Sequence, residues 1–309
     1  MMKRMTSAWI VAIVLAAMGS SAWAWHDEGH AYAARAAVEA LPQEVPVFFR
    51  QGATVIAHLA LDPDVVRSPR LPQLKAAEGP EHYLDLELLQ GQPLPEDRYA
   101  YLKLCQQLEV DPARAGFLPY AIIERAQRLA MAFAEHRQEP DSEPIRIKCL
   151  VYAGLLAHYT ADLHMPLHTT IHFNGRVGAD GRSPRSGIHD RVDALPTKLP
   201  YAVLFAQPMP PLRAPDDLAG FVVEELLRSH ALVDRVYELE PGIPDLSDME
   251  LRDPRVRDFT IERMRDAARF TAEVFWSAWR LSADLDPPRW LDRQAFDEAF
   301  DPQHVPPQP

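Results

Sequence analysis

The chain has 309 residues, of which 47% are apolar and 25% are charged, and this balance excludes a disordered or collagen-like chain. Glycine is scarce (13 residues) and proline is plentiful (29 residues), which favours helices joined by proline-rich loops over strands and hairpins. The net charge of −12 argues against a broad basic surface that grips duplex DNA, but it does not exclude a local site where metal ions supply positive charge.

Residues 1–24 have the pattern of a secretory signal peptide. Lys3 and Arg4 form a basic start, an apolar run follows over 8–18, and Ala22-Trp23-Ala24 forms a small-x-small cleavage site. The apolar run is too short to span roughly 30 Å of hydrocarbon as a helix. We therefore predict cleavage after Ala24, an exported protein that is periplasmic or secreted, and no transmembrane segment.

The rest of the chain reads as helices separated by proline-rich loops. Apolar spacing predicts helices over 29–41, 44–61, 96–108, 118–137, 143–163, 216–240 and 258–285. The helix over 143–163 is apolar on most faces, so we expect it at the centre of the fold. We predict one all-α domain of seven or more helices over 25–301, followed by a disordered polar tail over 302–309. The longest irregular stretch, 169–215, has the length of a functional loop.

Two cysteines, Cys105 and Cys149, leave two alternatives open. They form one disulfide outside the cytoplasm, or they are two buried thiols.

Histidines and aspartates recur at helical spacing in the middle of the chain. His158 and Asp162 are four residues apart on the predicted central helix, so both side chains leave the same face. His168 follows just past the end of that helix, and His189 and Asp193 form a second pair with the same spacing. A histidine and an aspartate are costly to bury on an apolar helix unless they are paired or bound to metal. Imidazole and carboxylate are ligands that suit zinc when no thiolate is present.

Two earlier segments extend this set. His82 and Asp85 lie in one short segment, which follows an acidic turn with two carboxylates, Asp62 and Asp64. Cleavage after Ala24 would also give Trp25 a free α-amine, whose ordinary pKa of about 7.7–8.0 allows it to bind a metal near neutral pH. His30 lies five residues further on.

These residues together resemble a known superfamily. The mature chain is similar to the zinc-dependent phospholipases C and the single-strand-specific zinc nucleases, which share one all-α fold with three zinc ions in a cleft. The resemblance rests on an ordered set of residues: Trp25, His30, Asp62, His82, His158, Asp162, His168, His189 and Asp193.

The resemblance implies how these residues divide among three Zn²⁺ ions. The first ion would be bound by Asp62, His82, His158 and Asp162. The second would be bound by His168, His189 and Asp193. The third would be bound by the Trp25 amine and carbonyl, His30 and Asp162, which would bridge two ions. Asp64 offers an alternative to Asp62 in the same turn, and Asp85 would orient His82. His164 and His172 would line the cleft at most.

The implied activity is hydrolysis of a phosphodiester by a zinc-bound hydroxide, with Asp62 helping to accept the proton of the water. The segment that follows His168 resembles the phospholipase C side of the superfamily. The alternatives are a single-strand-specific endonuclease or 3′-nucleotidase, for which Tyr83 and Phe173 are either a platform for a base or ordinary packing residues, and a non-catalytic zinc-binding protein. The expected substrate is a phospholipid head group or a single-stranded nucleic acid. No feature of the sequence indicates a stable protein partner.

Overall fold

The structure is a computed structural model that describes residues 27–288. In that range the chain forms α-helices and short 3₁₀ turns, with two isolated β-bridges and no strand, which confirms the predicted all-α fold. The predicted signal peptide, Trp25 and the predicted tail over 302–309 lie outside the described residues. The helices are α1 (Asp27–Glu39), α2 (Val47–Gln51), α3 (Ala53–Leu59), α4 (Asp62–Val65), α5 (Pro72–Glu78), α6 (Arg98–Gln107), α7 (Pro112–Ala115), α8 (Leu118–Gln138), α9 (Glu143–Asp162), α10 (Ile188–Asp193), α11 (Tyr201–Leu204), α12 (Leu218–His230), α13 (Val233–Leu239) and α14 (Pro254–Leu281).

Two predicted helices are each divided in the structure. The helix predicted over 44–61 breaks at Gly52 into α2 and α3, and the helix predicted over 216–240 breaks before Val233 into α12 and α13. A Cβ atom on Gly52 would lie 2.4 Å from Leu150 Cδ2 on α9. Close contact with a neighbouring helix therefore explains why glycine stands at the first break, and this contact is not visible in the local pattern.

Helix α9 is at the centre of the fold, as predicted. It packs against α1, α3, α8 and α14. Gly154 permits the close contact with α3, because a Cβ atom there would lie 2.3 Å from Leu59 Cβ. The chain that leaves α3 is thereby held beside the last two turns of α9, where the candidate site lies.

Two hydrophobic clusters meet at the C-terminal end of α9. The larger cluster includes Tyr159 of α9 together with residues of α8 and α14, and the smaller one includes Ala161 together with Met165 and Val192. His158 and Asp162 alternate with these apolar residues and are fully buried. The end of α9 is therefore a polar site enclosed by two apolar clusters.

Cys105 on α6 and Cys149 on α9 are both buried and free, so the structure contains two separate buried thiols rather than a disulfide. Across residues 27–288, we find no helix with the length and apolar character needed to cross a bilayer.

Candidate metal centre

The last turn of α9 supplies the first two candidate ligands. His158 Nε2 lies 3.3 Å from Asp162 Oδ2, as their spacing of four residues predicts. The other ring nitrogen, His158 Nδ1, donates a hydrogen bond of 2.8 Å to the carbonyl oxygen of Ala60, the residue that follows α3. That bond places the proton on Nδ1 and leaves the lone pair of Nε2 pointing into the site, as in histidines that bind metal.

His82 completes a group of three donor atoms, which we call the His82 group (His82, His158, Asp162). His82 Nδ1 lies 2.9 Å from His158 Nε2 and 3.0 Å from Asp162 Oδ2. Zinc bonds of roughly 2.0–2.1 Å in a tetrahedral site place neighbouring ligand atoms about 3.3 Å apart. The spacing of these three atoms is close to that value, so they can share one ion.

The second oxygen of Asp162 faces two other histidines. Asp162 Oδ1 lies 3.4 Å from His30 Nε2 and 3.6 Å from His168 Nδ1, and none of these three atoms makes a hydrogen bond. The two oxygens of one carboxylate therefore face different imidazoles, which is the arrangement required of a residue that bridges two ions.

A second group of three lies beside the first, and we call it the His168 group (His168, His189, Asp193). Its ligand atoms lie within 4.8 Å of one another, and His189 Nε2 is 3.2 Å from Asp193 Oδ2. His189 and Asp193 lie on the short helix α10, inside the stretch predicted to be a functional loop. The segment after His168 is held by Glu87, which accepts hydrogen bonds from Thr170 Oγ1 and from the backbone N–H of Ile171.

A third group contains Asp64 rather than Asp62. Ligand atoms of His30, Asp64 and His158 lie within 4.8 Å of one another, and we call these residues the His30 group. Asp64 is 6% exposed, whereas Asp62 is half-buried and belongs to none of these groups of described residues. Residues two apart on a helix point in nearly opposite directions, so α4 directs only one of the two carboxylates toward the site.

The buried polar atoms of the site fit a metal. Among the described residues, buried ligand atoms that make no hydrogen bond include His30 Nδ1 and Nε2, His82 Nε2, Asp162 Oδ1, His168 Nδ1, His189 Nδ1 and Nε2, and Asp193 Oδ1 and Oδ2. Buried polar atoms are rarely left without a partner, and the convergence of these donor atoms at one place fits the binding of a cation.

The pKa shifts of the buried histidines and aspartates are also consistent with a metal site. Burial lowers the pKa of His30, His82 and His168 well below 6.5, and the charges of neighbouring imidazoles lower it further. Burial also raises the pKa of Asp162 to about 6 and that of Asp193 well above 3.8. Zinc binds neutral imidazole and ionised carboxylate. These histidines therefore have the protonation state that zinc requires, and a bound cation would stabilise the ionised aspartates that burial disfavours.

The pKa of His158 is raised, in contrast to that of the other histidines of the site. Burial lowers the pKa of this imidazole, but the carboxylates of Asp162 and Asp64 outweigh burial and raise it. The two carboxylates therefore favour the protonated form of this imidazole.

A cavity of about 650 Å³ opens beside the two main groups. His82, His168 and His189 form part of its wall, and the remaining lining includes Arg67, Tyr83, Asp85, Leu88, Arg114, Leu167, Ile171, Phe173 and Val177. Burial and the nearby Glu87 carboxylate raise the pKa of Asp85 to about 7. The cavity therefore combines metal-ligand side chains, two arginines and a carboxyl that can exchange a proton near neutral pH.

Arg67 is a residue of the site that sequence reasoning missed. Its Nη1 atom donates a hydrogen bond of 2.8 Å to Asp64 Oδ1, and its guanidinium lies close enough to lower the pKa of His82 and His168. The available signal was a basic residue three positions after an acidic one, at helical spacing. His164, expected to line the cleft at most, is instead buried against Phe270, with ring centroids 5.2 Å apart.

No protein-family profile matches the chain, and no curated protein matches it. Among solved structures, the chain is similar to the alpha-toxin of Clostridium absonum, with a TM-score of 0.45 and 12% identity over 86% of this chain and 68% of the toxin. It is also similar to the alpha-toxin of an avian strain of Clostridium perfringens, with a TM-score of 0.40 and 13% identity over 85% of this chain and 67% of the toxin. Both likenesses are distant, so the assignment of function depends on the chain's own side chains.

Proposed function

We propose that this protein is an exported, zinc-dependent phosphodiester hydrolase of phospholipase C type. The observation that carries the proposal is the convergence of buried histidines and aspartates, with unpaired ligand atoms, on one wall of a cavity. The resemblance of the ordered ligand set to zinc-dependent phospholipases C and nucleases supports the same chemistry.

The proposed ligands divide among three ions. The His82 group would bind one ion together with Asp64, whose Oδ1 lies 3.8 Å from His82 Nδ1. Asp64 would take the place that the resemblance gives to Asp62. The His168 group would bind the second, and His30 with Asp162 and the Trp25 amine and carbonyl would bind the third. Bound zinc would supply positive charge that offsets the phosphodiester anion, and it would make an attacking water more acidic.

Arg67 and Asp85 have separate roles in this proposal. Arg67 lines the cavity beside the metal ligands, so its guanidinium can donate hydrogen bonds to a phosphate oxygen. Asp85 lines the same cavity and has a pKa of about 7, so it can accept or return a proton during hydrolysis. We assign the proton-accepting role to Asp85 rather than Asp62, because Asp62 is not among the residues that line the cavity.

The walls of the cavity favour a substrate with an apolar part. Leu88, Leu167, Ile171 and Val177 all line it, and these side chains can contact the glycerol and acyl portion of a phospholipid. Phe173 is 37% exposed and lines the same cavity, which supports the second candidate, a single-strand nuclease, because an exposed ring can stack on a base.

The deciding experiment uses protein that begins at Trp25, loaded with zinc. Its hydrolysis of phosphatidylcholine and of single-stranded DNA is measured side by side, with Asp193→Asn as the matched control of similar shape. We expect phosphatidylcholine hydrolysis that the control lacks. Hydrolysis of DNA alone would assign the nuclease activity, and stoichiometric zinc without hydrolysis of either substrate would identify a non-catalytic zinc-binding protein.

Export is tested separately. The protein is expressed from its complete sequence, and the N-terminus of the material outside the cytoplasm is sequenced. We expect it to begin at Trp25. A protein that stays in the cytoplasm with residues 1–24 attached would contradict the export proposal.

A further inference from the structure

His82 lies on a part of the chain with little regular structure to hold it. It is the last residue of a 3₁₀ turn, Gly79–His82. The backbone around it is fixed by bonds to other elements: the Phe117 N–H donates to the carbonyl oxygen of Pro80 at 2.7 Å, and the Leu84 N–H donates to that of His168 at 2.9 Å. The Leu118 N–H also donates to the carbonyl oxygen of Tyr83 at 3.2 Å, and the side chains of the turn add further contacts.

Glu81, the residue before His82, accepts its two shortest side-chain hydrogen bonds from Arg98 of α6. Arg98 Nη1 and Nη2 donate to the two carboxylate oxygens of Glu81 at 2.6 and 3.0 Å. The adjacent edge of the same guanidinium, which shares Nη2, donates to Glu124 of α8, with Nε and Nη2 at 2.8 and 3.0 Å from its oxygens. Arg98 therefore makes bidentate hydrogen bonds to both Glu81 and Glu124. Lysine cannot reproduce this geometry.

Arg125 of α8 extends this network to the two imidazoles. Its Nη1 donates to Glu81 Oε2 at 3.2 Å, and its Nη2 donates to Tyr159 Oη at 3.1 Å. The Tyr159 ring lies 5.3 Å from the ring of His82 and 5.2 Å from that of His158. The network thus reaches both histidines of the His82 group through the Tyr159 ring.

The network borders solvent rather than the apolar core. Glu81, Arg98, Glu124 and Arg125 line a second cavity of about 420 Å³. When Arg98 is removed, Glu81 keeps its 3.2 Å hydrogen bond from Arg125 but loses both bonds from Arg98, so its carboxylate can turn toward this space and become hydrated. The expected consequence is a displaced turn at His82 rather than a collapsed core.

We propose that Arg98 is a positioning residue for the metal centre, which acts through Glu81 to hold His82 in place for metal binding. This inference rests on the proposed function in so far as the His82 group binds zinc. Groups that orient metal ligands typically change metal affinity by roughly 10–100-fold when they are removed. Because Arg98 acts through a neighbouring residue, we expect the lower end, about tenfold.

The test compares Arg98→Gln and Arg98→Lys with Arg137→Gln. Arg137 is the control arginine. It lies near the C-terminal end of α8, where it donates to Ser282 Oγ at 2.8 Å and to the carbonyl oxygen of Trp279 at 2.9 Å. Zn²⁺ affinity is measured by competition with a chromophoric chelator, and the melting temperature of each metal-free protein is measured beside it. The visible spectrum of the Co²⁺-substituted proteins reports the geometry of the ligands.

We expect Arg98→Gln to weaken one Zn²⁺ site about tenfold and to alter the Co²⁺ spectrum, while Arg137→Gln changes neither. Arg98→Lys should recover less than half of the lost affinity, on a logarithmic scale, because it restores the charge without the two-edged geometry. If Arg98→Gln does not fold, Glu124→Gln, which removes one edge of the contact, should produce a smaller loss in the same direction.

Zn²⁺ affinity for Arg98→Gln within twofold of the wild type, or a loss matched by Arg137→Gln, would overturn the positioning role. The proposed function fails in a different way. A wild-type protein that binds Zn²⁺ but hydrolyses no phosphodiester would remove the proposed activity, and the affinity difference between the variants would still support the role of Arg98.

Discussion

The Asp162→Asn variant tests whether the buried Asp162 carboxylate destabilises the metal-free protein and stabilises the zinc-bound protein. Asp162 is fully buried, and burial raises its pKa from 3.8 to about 6, although the charge of His158 opposes the rise. A carboxyl whose pKa is raised by folding contributes most stability at low pH, and this contribution is lost as the pH rises through the folded pKa. The two pKa values differ by about 2, which corresponds to about 3 kcal/mol.

In the presence of a chelator, Asp162→Asn should therefore be more stable than the wild type by about 3 kcal/mol at pH 8. The advantage should fall to about half at pH 5 and vanish below the unfolded pKa. Saturating zinc should reverse the order, because an ion at 100 times its dissociation constant adds about 2.7 kcal/mol per site, and Asp162 would serve two sites. Urea unfolding curves with chelator and with zinc, at both pH values, measure these differences.

Asp62→Asn is the control for this experiment. Asp62 is half-buried and lies outside the three ligand groups, so its replacement should change the unfolding free energy by less than about 0.5 kcal/mol under every condition. An Asp162→Asn protein that is less stable than the wild type at pH 8 in chelator would refute the reasoning. So would an advantage that does not change with pH.

Four further predictions concern the ligands and the packing that holds them. Asp64→Ala should reduce the zinc content measured by metal analysis, whereas Asp62→Ala should leave it unchanged; the reverse result would restore the original ligand. Gly154→Ala should destabilise the protein by about 1–3 kcal/mol in urea unfolding, because the new Cβ would lie 2.3 Å from Leu59 Cβ, and a neutral result would show that α3 can move away. Protein that begins Met-Trp25 should bind the third zinc poorly and hydrolyse substrate slowly, since an amide nitrogen is no ligand; equal zinc and equal rates would remove the N-terminal ligand. Chelation of the zinc-loaded wild type should lower its melting temperature, measured by circular dichroism, because metal that binds only the folded state stabilises it.

Local spacing was enough to predict those parts of the site that lie within one helix. His158 and Asp162 share a face of α9 because residues four apart always do, and their burial followed from the apolar residues around them. His189 and Asp193 follow the same rule on α10, although the pattern placed them in a long loop. The all-α class also followed from local periodicity together with the scarcity of glycine.

The choice between Asp62 and Asp64 could not be made from the pattern. Both carboxylates lie in one acidic turn, and the direction of each depends on where α4 begins and on how it meets α9. The position of α4 relative to α9 follows in turn from the contact at Gly154, whose lack of a side chain lets α3 approach. That contact joins residues almost a hundred positions apart, so no local rule contains it.

The ion pairs around His82 also depend on tertiary contacts that local sequence patterns do not contain. Glu81, Arg98 and Glu124 are charged residues on three separate elements, and no local spacing relates them in the sequence. Folding brings them together at hydrogen-bond distance. Helical periodicity depends on the backbone of a single segment, whereas these charges meet because α6 and α8 pack beside the His82 turn.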